Sequence, residues 1–171
     1  MDFTVEKMKD GDWPMVQATY REGIATGNAT FETDAPEWGK WDKNHLPDCR
    51  LVARAEGQVI GWAALSPFSW KRFYAGITEV SLYVTSSARG IGVGKALLNA
   101  LIEESEHAGI WTLQGMILRE NLTSLALCKK CGFREVGYRE RISQMNGVWR
   151  DVIVMERRSK VVGIEKKGES K

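Results

Sequence analysis

The stretch Arg89-Gly90-Ile91-Gly92-Val93-Gly94-Lys95 connects an apolar run, Val80 to Val84, with a segment of helical periodicity that begins at Ala96. Its three glycines stand on alternate positions, so main-chain N–H groups at the entrance of that helix are open to a ligand. The first four N–H groups of a helix lack internal partners and carry the positive end of its dipole. A strand, a glycine-rich turn and a helix therefore predict a phosphate site.

The spacing of the glycines excludes two common nucleotide loops. A P-loop needs Gly-x4-Gly-Lys-Ser/Thr, whereas Gly94-Lys95-Ala96 lacks both the hydroxyl and the first glycine at that distance. A dinucleotide fingerprint needs Gly-x-Gly-x-x-Gly near the start of a βαβ unit, whereas this loop has Gly90-x-Gly92-x-Gly94 after several other elements. A phosphate loop of another kind and a purely structural turn remain as alternatives.

The composition is typical of a globular protein with one domain. The chain has 171 residues, of which 43% are hydrophobic and 27% charged, and its net charge of +2 does not favour a nucleic-acid or membrane partner. The N-terminus lacks the apolar core of a signal peptide, and three scattered cysteines do not form a disulfide framework. We therefore expect a cytoplasmic protein.

Hydrophobic periodicity predicts about seven strands and four helices in the order β-α-α-β-β-β-α-β-α-β-β, an α+β fold. We expect one domain over residues 1–158 and a charged, disordered tail over residues 159–171. In the strand from Ile77 to Val84, alternate side chains lie on opposite faces: Val80, Leu82 and Val84 on one, and Glu79, Ser81 and Tyr83 on the other.

Several motifs in order resemble the GNAT superfamily of N-acetyltransferases. Arg89-Gly90-x-Gly92-x-Gly94 resembles its pyrophosphate loop, Arg/Gln-x-x-Gly-x-Gly/Ala. Asn121-x-x-Ser124-x-x-Leu127 and the segment from Cys131 to Gly137 resemble the later region of the same superfamily. Three further segments resemble the phosphinothricin and methionine sulfoximine acetyltransferase family: Ala29 to Glu32, Thr78 to Val84, and Gly147-x-Trp149-x-Asp151.

The resemblance implies a GNAT fold, which is a mixed, mostly antiparallel sheet of about seven strands with about four flanking helices, splayed at the strand before the glycine loop. It implies acetyl-CoA as co-substrate, with its pantetheine arm beside Leu82, Tyr83 and Val84. A β-bulge there would free an N–H near Tyr83 for the thioester oxygen. The implied contacts of the rest of the cofactor are Arg89, Gly90, Ile91, Gly92, Val93, Gly94, Lys95, Asn121 and Lys130.

Two proton transfers need candidates. An attacking amine must lose a proton, and the resemblance makes Glu79 the base, acting directly or through a water, or else the anchor of the substrate ammonium. A surface ion pair is the structural alternative. The leaving thiolate must gain a proton, and this chain has Cys128 where many GNAT enzymes have tyrosine. Cys128, Tyr83 and water remain open as proton donors to the thiolate. Cys128 and Cys131 do not predict a metal site, because the sequence offers no second pair of ligands.

The implied acceptor is an amino-acid analogue with a carboxylate beside its amine. Its implied contacts are Phe31, Glu32, Ser69, Trp70, Lys71, Arg72, Glu79, Val80 and Ser81. The family's loop arginine falls on Ser69, so Lys71 or Arg72 would have to replace it. An aromatic cluster that closes the end of the sheet is the structural alternative for this loop. We expect His45 and His107 at the surface.

The sequence thus predicts a cytoplasmic N-acetyltransferase that acts by direct transfer on a small amino acid or analogue, such as phosphinothricin or methionine sulfoximine. One alternative is a peptide or protein N-acetyltransferase, which would need a more open groove. Another is a non-catalytic acyl-CoA-binding sensor, which would tolerate the loss of Glu79. The resemblance also implies a homodimer with the C-terminal strands as its contact surfaces.

Overall fold

The computed structural model describes residues 1–165. Its helices and strands follow the predicted order: β1 Thr4–Lys7, α1 Trp13–Ala25, α2 Trp38–Asn44, β2 Leu51–Ala55, β3 Gln58–Pro67, β4 Ile77–Val84, α3 Val93–His107, β5 Thr112–Leu118, α4 Leu122–Lys130, β6 Arg134–Met145 and β7 Val148–Arg158. Helix α3 begins at Val93, directly after the left-handed residue Gly92, whose φ is 94°.

The strands form a seven-stranded sheet in the order β1-β2-β3-β4-β5-β7-β6. Only β4 and β5 are parallel, and the crossover between them carries α3. The other five neighbouring pairs are antiparallel. The predicted α+β class, with a mixed and mostly antiparallel sheet, is confirmed.

Alternating side chains give the sheet two apolar faces. On one face, Leu82 of β4 packs against the core that contains Leu97 of α3. On the other face, Trp62 of β3 and Tyr83 of β4 pack in a core with Trp41 of α2. The side chains of β4 thus reach both faces of the sheet. A gap beside this strand therefore connects the two faces.

Such a gap separates β4 from β5. The two strands pair only where Ile77–Glu79 faces Thr112–Gln114, although both strands continue beyond those residues. The remainder of β4 therefore has an unpaired edge. The predicted splay of the sheet lies at this edge.

The hydrogen bonds at the two ends of the β3–β4 ladder show which groups form that edge. The N–H of Thr85 donates to the carbonyl of Ile60, and the N–H of Phe68 donates to that of Ile77. In an antiparallel ladder such bonded residues alternate along the strand. Odd-numbered residues of β4 therefore bond to β3, and the main-chain groups of even-numbered residues such as Leu82 point into the gap.

The β-bulge that we expected in β4 does not occur. The β3–β4 pairs from Gly61 with Val84 to Pro67 with Thr78 keep a single register. Tyr83 faces Trp62 in this ladder, so its N–H is not free. The prediction is wrong because a bulge, which inserts an extra residue, is not needed to free an N–H group. Where β4 has no neighbouring strand, every second N–H along its edge is already unpaired.

The segment after β7 is more ordered than we expected. Ser159 is buried, and its hydroxyl donates to Glu106 and accepts the N–H of Val161. The Arg158 guanidinium donates to the carbonyl of Gly163. The prediction of disorder is therefore wrong for residues 159–163, and residues 166–171 of the predicted tail lie outside the described residues. Within residues 1–165, no helix has the length and apolar character needed to span a membrane.

Candidate active site

The glycine loop presents unpaired N–H groups at the start of α3. The first helical hydrogen bond runs from the N–H of Ala96 to the carbonyl of Gly92, at 3.0 Å. The N–H groups of Gly92 to Lys95 precede that bond and have no acceptor one turn earlier. A Cβ atom on Gly90 or Gly92 would meet no atom within 4 Å. The loop is therefore an open cradle of donors at the positive end of a 15-residue helix.

Arg89 adds a positive charge beside this cradle. Its Nε lies 3.4 Å from the carbonyl oxygen of Val84, at the end of the open edge of β4. Among the ion pairs of residues 1–165, none involves Arg89 or Lys95. Both cations are available to an anion in the loop.

A cavity of about 590 Å³ passes through the gap between β4 and β5. On the α3 and α4 side of the sheet it is lined by Leu82, Leu98, Leu127, Cys128 and Phe133, and on the α1 and α2 side by Tyr20, Thr30, Phe31, Glu32, Lys40, Trp41, Asn44, His45, Ser66, Glu79, Ser81 and Tyr83. The two sides meet at the open edge of β4. One molecule can therefore enter from each face and meet the other at this strand.

On the α4 side, one of the two predicted cofactor contacts near this helix, Asn121, lines the cavity and the other, Lys130, does not. Asn121 lines the cavity and caps α4, where its Oδ1 accepts the N–H of Ser124 at 3.2 Å. Its side-chain NH2 remains as a donor. Lys130 is exposed in the last turn of α4 and does not line the cavity. The prediction for Lys130 stays a prediction.

Glu79 lies half-buried in the wall of the cavity, on the predicted face of β4 with Ser81 and Tyr83. Burial raises the pKa of its carboxyl group, and the side chain of Gln114, opposite Glu79 in the β4–β5 register, lowers it in part. A carboxylate whose pKa is raised towards neutrality is a stronger proton acceptor. The geometry therefore allows Glu79 to act as a general base.

Cys128 and Tyr83, the two candidate acids, are both half-buried, and both have a raised pKa. Burial and the neighbouring Cys131 raise the pKa of the Cys128 thiol to about 12. The Tyr83 ring packs between Tyr20, with ring centres 4.6 Å apart, and Trp62, at 5.0 Å. Burial raises its pKa as well. A thiolate with a pKa of about 8.5 is a weaker base than either conjugate base, so neither group is a favourable proton donor to it.

The acceptor side agrees with the prediction only in part. Phe31, Glu32, Val80 and Ser81 line the cavity as expected. Ser69, Trp70, Lys71 and Arg72 do not. Their loop leaves the sheet after Pro67, so that Trp70 is 89% exposed and the Lys71 ammonium lies over its ring at 6.0 Å. The predicted contacts of these four residues with the acceptor stay a prediction.

Lys40 of α2 and His45, which directly follows this helix, are among the residues that line the cavity but were not predicted as site residues. His45 was expected at the surface, but it lines the cavity, and its Nδ1 lies 2.7 Å from the carbonyl oxygen of Trp41. Burial lowers the pKa of His45, so the ring is neutral near pH 7, with the proton on Nδ1 and a free acceptor at Nε2. Lys40, which also lines the cavity, lies one turn before Asn44. The i, i+4 spacing of Lys40 and Asn44 indicates that they share one face of α2, but only the fold shows that this face borders the cavity.

Free N–H groups beside Arg89 and the half-buried carboxyl group of Glu79 thus lie towards opposite ends of β4, the strand with the open edge. The sequence matches the Acetyltransferase (GNAT) family over residues 14–133. The chain belongs to this family and is an N-acetyltransferase.

Named relatives resemble the chain over most of its length. It is 30% identical to the phosphinothricin N-acetyltransferase of Alcaligenes faecalis, over 90% of this chain and 81% of that protein. It is 34% identical to an L-methionine sulfoximine/L-methionine sulfone acetyltransferase of Pseudomonas aeruginosa, over 85% of this chain and 88% of that protein. The structure of a phosphinothricin acetyltransferase from Sinorhizobium meliloti in complex with acetyl-CoA matches with a TM-score of 0.87 and 29% identity, over 99% of this chain and 95% of that one.

Proposed function

We propose that this protein transfers the acetyl group of acetyl-CoA directly to the amine of a small amino acid or analogue, of the phosphinothricin or methionine sulfoximine and sulfone type. Acetyl-CoA is the co-substrate. The observation that carries the proposal is the β4–β5 gap: Glu79 lines the cavity there, and the open edge of β4 ends at Val84, whose carbonyl oxygen lies 3.4 Å from Nε of Arg89 in the glycine loop.

The residues present fit acetyl-CoA. The N–H groups of Gly92 to Lys95, together with Arg89, suit a pyrophosphate. The main-chain groups of Leu82 and Val84 point into the gap, where they can pair with the amides of a pantetheine arm. A free N–H on this edge would also stabilise the oxyanion that forms when an amine attacks the thioester, a contribution of about 3 kcal/mol in comparable sites.

The proton balance follows from the groups in the cavity. Glu79 accepts a proton from the substrate ammonium, directly or through a water. The amine nitrogen then forms a bond to the acetyl carbon, the bond from that carbon to sulfur breaks, and the nitrogen releases its second proton as it becomes an amide. A water relays this proton to the thiolate, so the step balances without a proton from Cys128, whose pKa is about 12, or from Tyr83, whose pKa is raised.

Direct transfer is favoured over an acetyl-enzyme intermediate. A cysteine attacks as its thiolate, and the half-buried Cys128 is protonated at neutral pH because its pKa is about 12. A C128A variant should therefore keep most of its turnover. Loss of turnover in C128A, with acetyl-CoA binding intact, would support the intermediate instead.

We also propose that the protein is a cytoplasmic homodimer. Its three cysteines are free thiols, in keeping with a reducing compartment. The edge hairpin of β6 and β7 exposes several apolar side chains: Val136, Tyr138, Val148 and Trp149. Such a patch is typical of a contact surface. Light scattering of the full chain at micromolar concentration would show a dimeric mass if this is correct and a monomeric mass if it is not.

The substrate class is tested by a thiol-release screen with acetyl-CoA. Acceptors would include phosphinothricin, methionine sulfoximine, methionine sulfone, common amino acids, polyamines and peptides with free N-termini. We expect turnover with the amino-acid analogues. Turnover with peptides alone would favour a peptide acetyltransferase, and acetyl-CoA binding without turnover of any amine would favour a sensor.

A further inference from the structure

The charges that line the cavity are unevenly distributed. Glu32 and Glu79 contribute two carboxyl groups, and Lys40 is the one Lys or Arg side chain among the described residues that line it. His45 is neutral near pH 7, because burial lowers its pKa. A substrate with an anionic group thus has a single cationic partner within this part of the chain.

That cation is not engaged elsewhere. In residues 1–165 no salt bridge involves Lys40. The loop cations that the sequence favoured do not reach the cavity, and Lys71 lies over the rings of Trp70 and Phe73 at 6.0 and 5.8 Å. An ammonium group beside a cavity with no carboxylate partner is available to a ligand.

Lys40 is mounted on a rigid support. Its helix, α2, is anchored by Trp41, which is 1% exposed and packs against Trp13 and Trp62 with ring centres 5.2 and 5.6 Å away. Asn44 lies one turn after Lys40 and lines the same cavity, as the i, i+4 spacing requires. An ammonium and a side-chain amide, both hydrogen-bond donors, therefore face the cavity from a fixed helix.

We infer that Lys40 binds the carboxylate of the acceptor, assisted by the amide of Asn44, while Glu79 receives its ammonium. This inference rests on the proposed function and narrows it to zwitterionic acceptors. Lys40 thereby replaces the loop arginine whose position is occupied by Ser69. It sets specificity for the carboxylate and takes no part in the proton transfers.

The test compares Lys40→Gln with Lys43→Gln, a change to the neighbouring exposed lysine of α2 that does not line the cavity. Each variant is assayed with methionine sulfone and with methionine sulfone carboxamide, which keeps the amine and lacks the carboxylate. In Lys40→Gln we expect the KM for the free acid to rise ten- to a hundredfold, as for loss of one charge-assisted hydrogen bond. The KM for the carboxamide should not change, and Lys43→Gln should behave as wild type with both.

Further outcomes distinguish the inference from the proposed function. Lys40→Arg should recover most of the affinity for the free acid. An unchanged KM in Lys40→Gln, or an equal rise with both acceptors, would overturn the role of Lys40 while leaving the acetyltransferase assignment intact. If wild type acetylates the carboxamide but no free amino acid, the proposed substrate class and this inference both fail.

Discussion

Arg150 on β7 and Asn28, which are 122 positions apart in the chain, are joined by a hydrogen bond of 2.7 Å from Nη2 to Oδ1. The same guanidinium donates to the carbonyl of Gly27 at 3.1 Å and to the carboxylate of Glu120 at 3.1 Å. The guanidinium therefore links the loop that leads to Phe31 with the turn before Asn121.

Replacing this cation should weaken acceptor binding. In Arg150→Met the loop that carries Phe31 loses its charge-assisted hydrogen bonds, so we expect a several-fold rise in the acceptor KM and a stability loss of about 1–3 kcal/mol. The control is Arg134→Met, because Arg134 is 70% exposed in its ion pair with Glu156. Steady-state kinetics and urea unfolding measure the two effects. If both variants bind acceptor equally well, Arg150 does not position the loop.

The rate should depend on ionised Glu79. Burial raises the pKa of Glu79 from its ordinary value of 4.5, so kcat/KM should fall with decreasing pH at a higher pH than for an exposed carboxyl. Glu79→Gln should lower kcat about 10²- to 10⁴-fold and abolish this acidic limb, the fall of kcat/KM with decreasing pH. Gln114→Leu removes a group that lowers the pKa of Glu79, so it should move the limb to higher pH. Full turnover of Glu79→Gln across the pH series would eliminate Glu79 as the base.

The glycine loop should tolerate no side chain at Gly92, the second of its two left-handed positions after Gly90. Gly92 has φ of 94°, so Gly92→Ala strains the backbone by about 1–2 kcal/mol and tilts the N–H groups that follow. We expect the Kd for acetyl-CoA to rise about tenfold, as for loss of one hydrogen bond to a charged group. Gly57→Ala is a matched control, since Gly57 has φ of 79° in the β2–β3 turn. Calorimetry that gave the same Kd for both variants would contradict the phosphate cradle.

The ring of Tyr83 should leave no room for a side chain at Gly23 of α1. A Cβ atom at Gly23 would overlap Cδ1 of Tyr83 and lie 2.7 Å from its Cε1. Gly23→Ala should therefore cost about 1–3 kcal/mol of unfolding free energy and raise the acceptor KM. Gly39→Ala in α2, where a Cβ meets nothing within 4 Å, should instead stabilise the protein by up to about 1 kcal/mol. Equal stabilisation of both variants would show that the Tyr83 ring is free to move.

Asp12 should contribute to stability at neutral pH and lose that contribution in acid. Burial alone would raise its pKa, but the N–H of Lys9 and the guanidinium of Arg54, at 2.8 Å, together lower the pKa below its ordinary value of 3.8. The unfolded chain then binds more protons than the folded one between the two pKa values. The contribution is complete above the unfolded pKa and is lost as the pH falls through the folded pKa.

Urea unfolding across an acidic pH series checks this dependence. Asp12→Asn should lose about 1.5–3 kcal/mol at pH 7, the worth of a charged hydrogen bond, and the deficit should shrink in acid. Asp34→Asn is the control, because the Arg21–Asp34 pair is exposed by 51% and 73%, and such pairs contribute about 0–1 kcal/mol. A deficit in Asp12→Asn that did not depend on pH would contradict the depressed pKa.

Much of the fold was predictable because it depends on local periodicity. Alternation in Ile77–Val84 identified both the strand and the face that carries Glu79, since strand side chains must alternate. The glycine loop identified the anion site, since the geometry of a helix N-terminus is a local property. The missing bulge and the exposed Trp70 loop were not predictable, because pairing between strands and the direction of a loop depend on distant parts of the chain.

The sequence by itself determined the order of strands and helices, the glycine-rich start of α3 at Gly90–Lys95 and the face of β4 that carries Glu79. The tertiary structure decided which side chains share the cavity with Glu79. Lys40 and His45 lie far from Glu79 along the chain, and nothing in their local sequence requires them to approach it. The fold brings them to this site because the β4–β5 gap opens both faces of the sheet and α2 packs beside the opening. Such proximity results from packing over the whole chain and has no local signature.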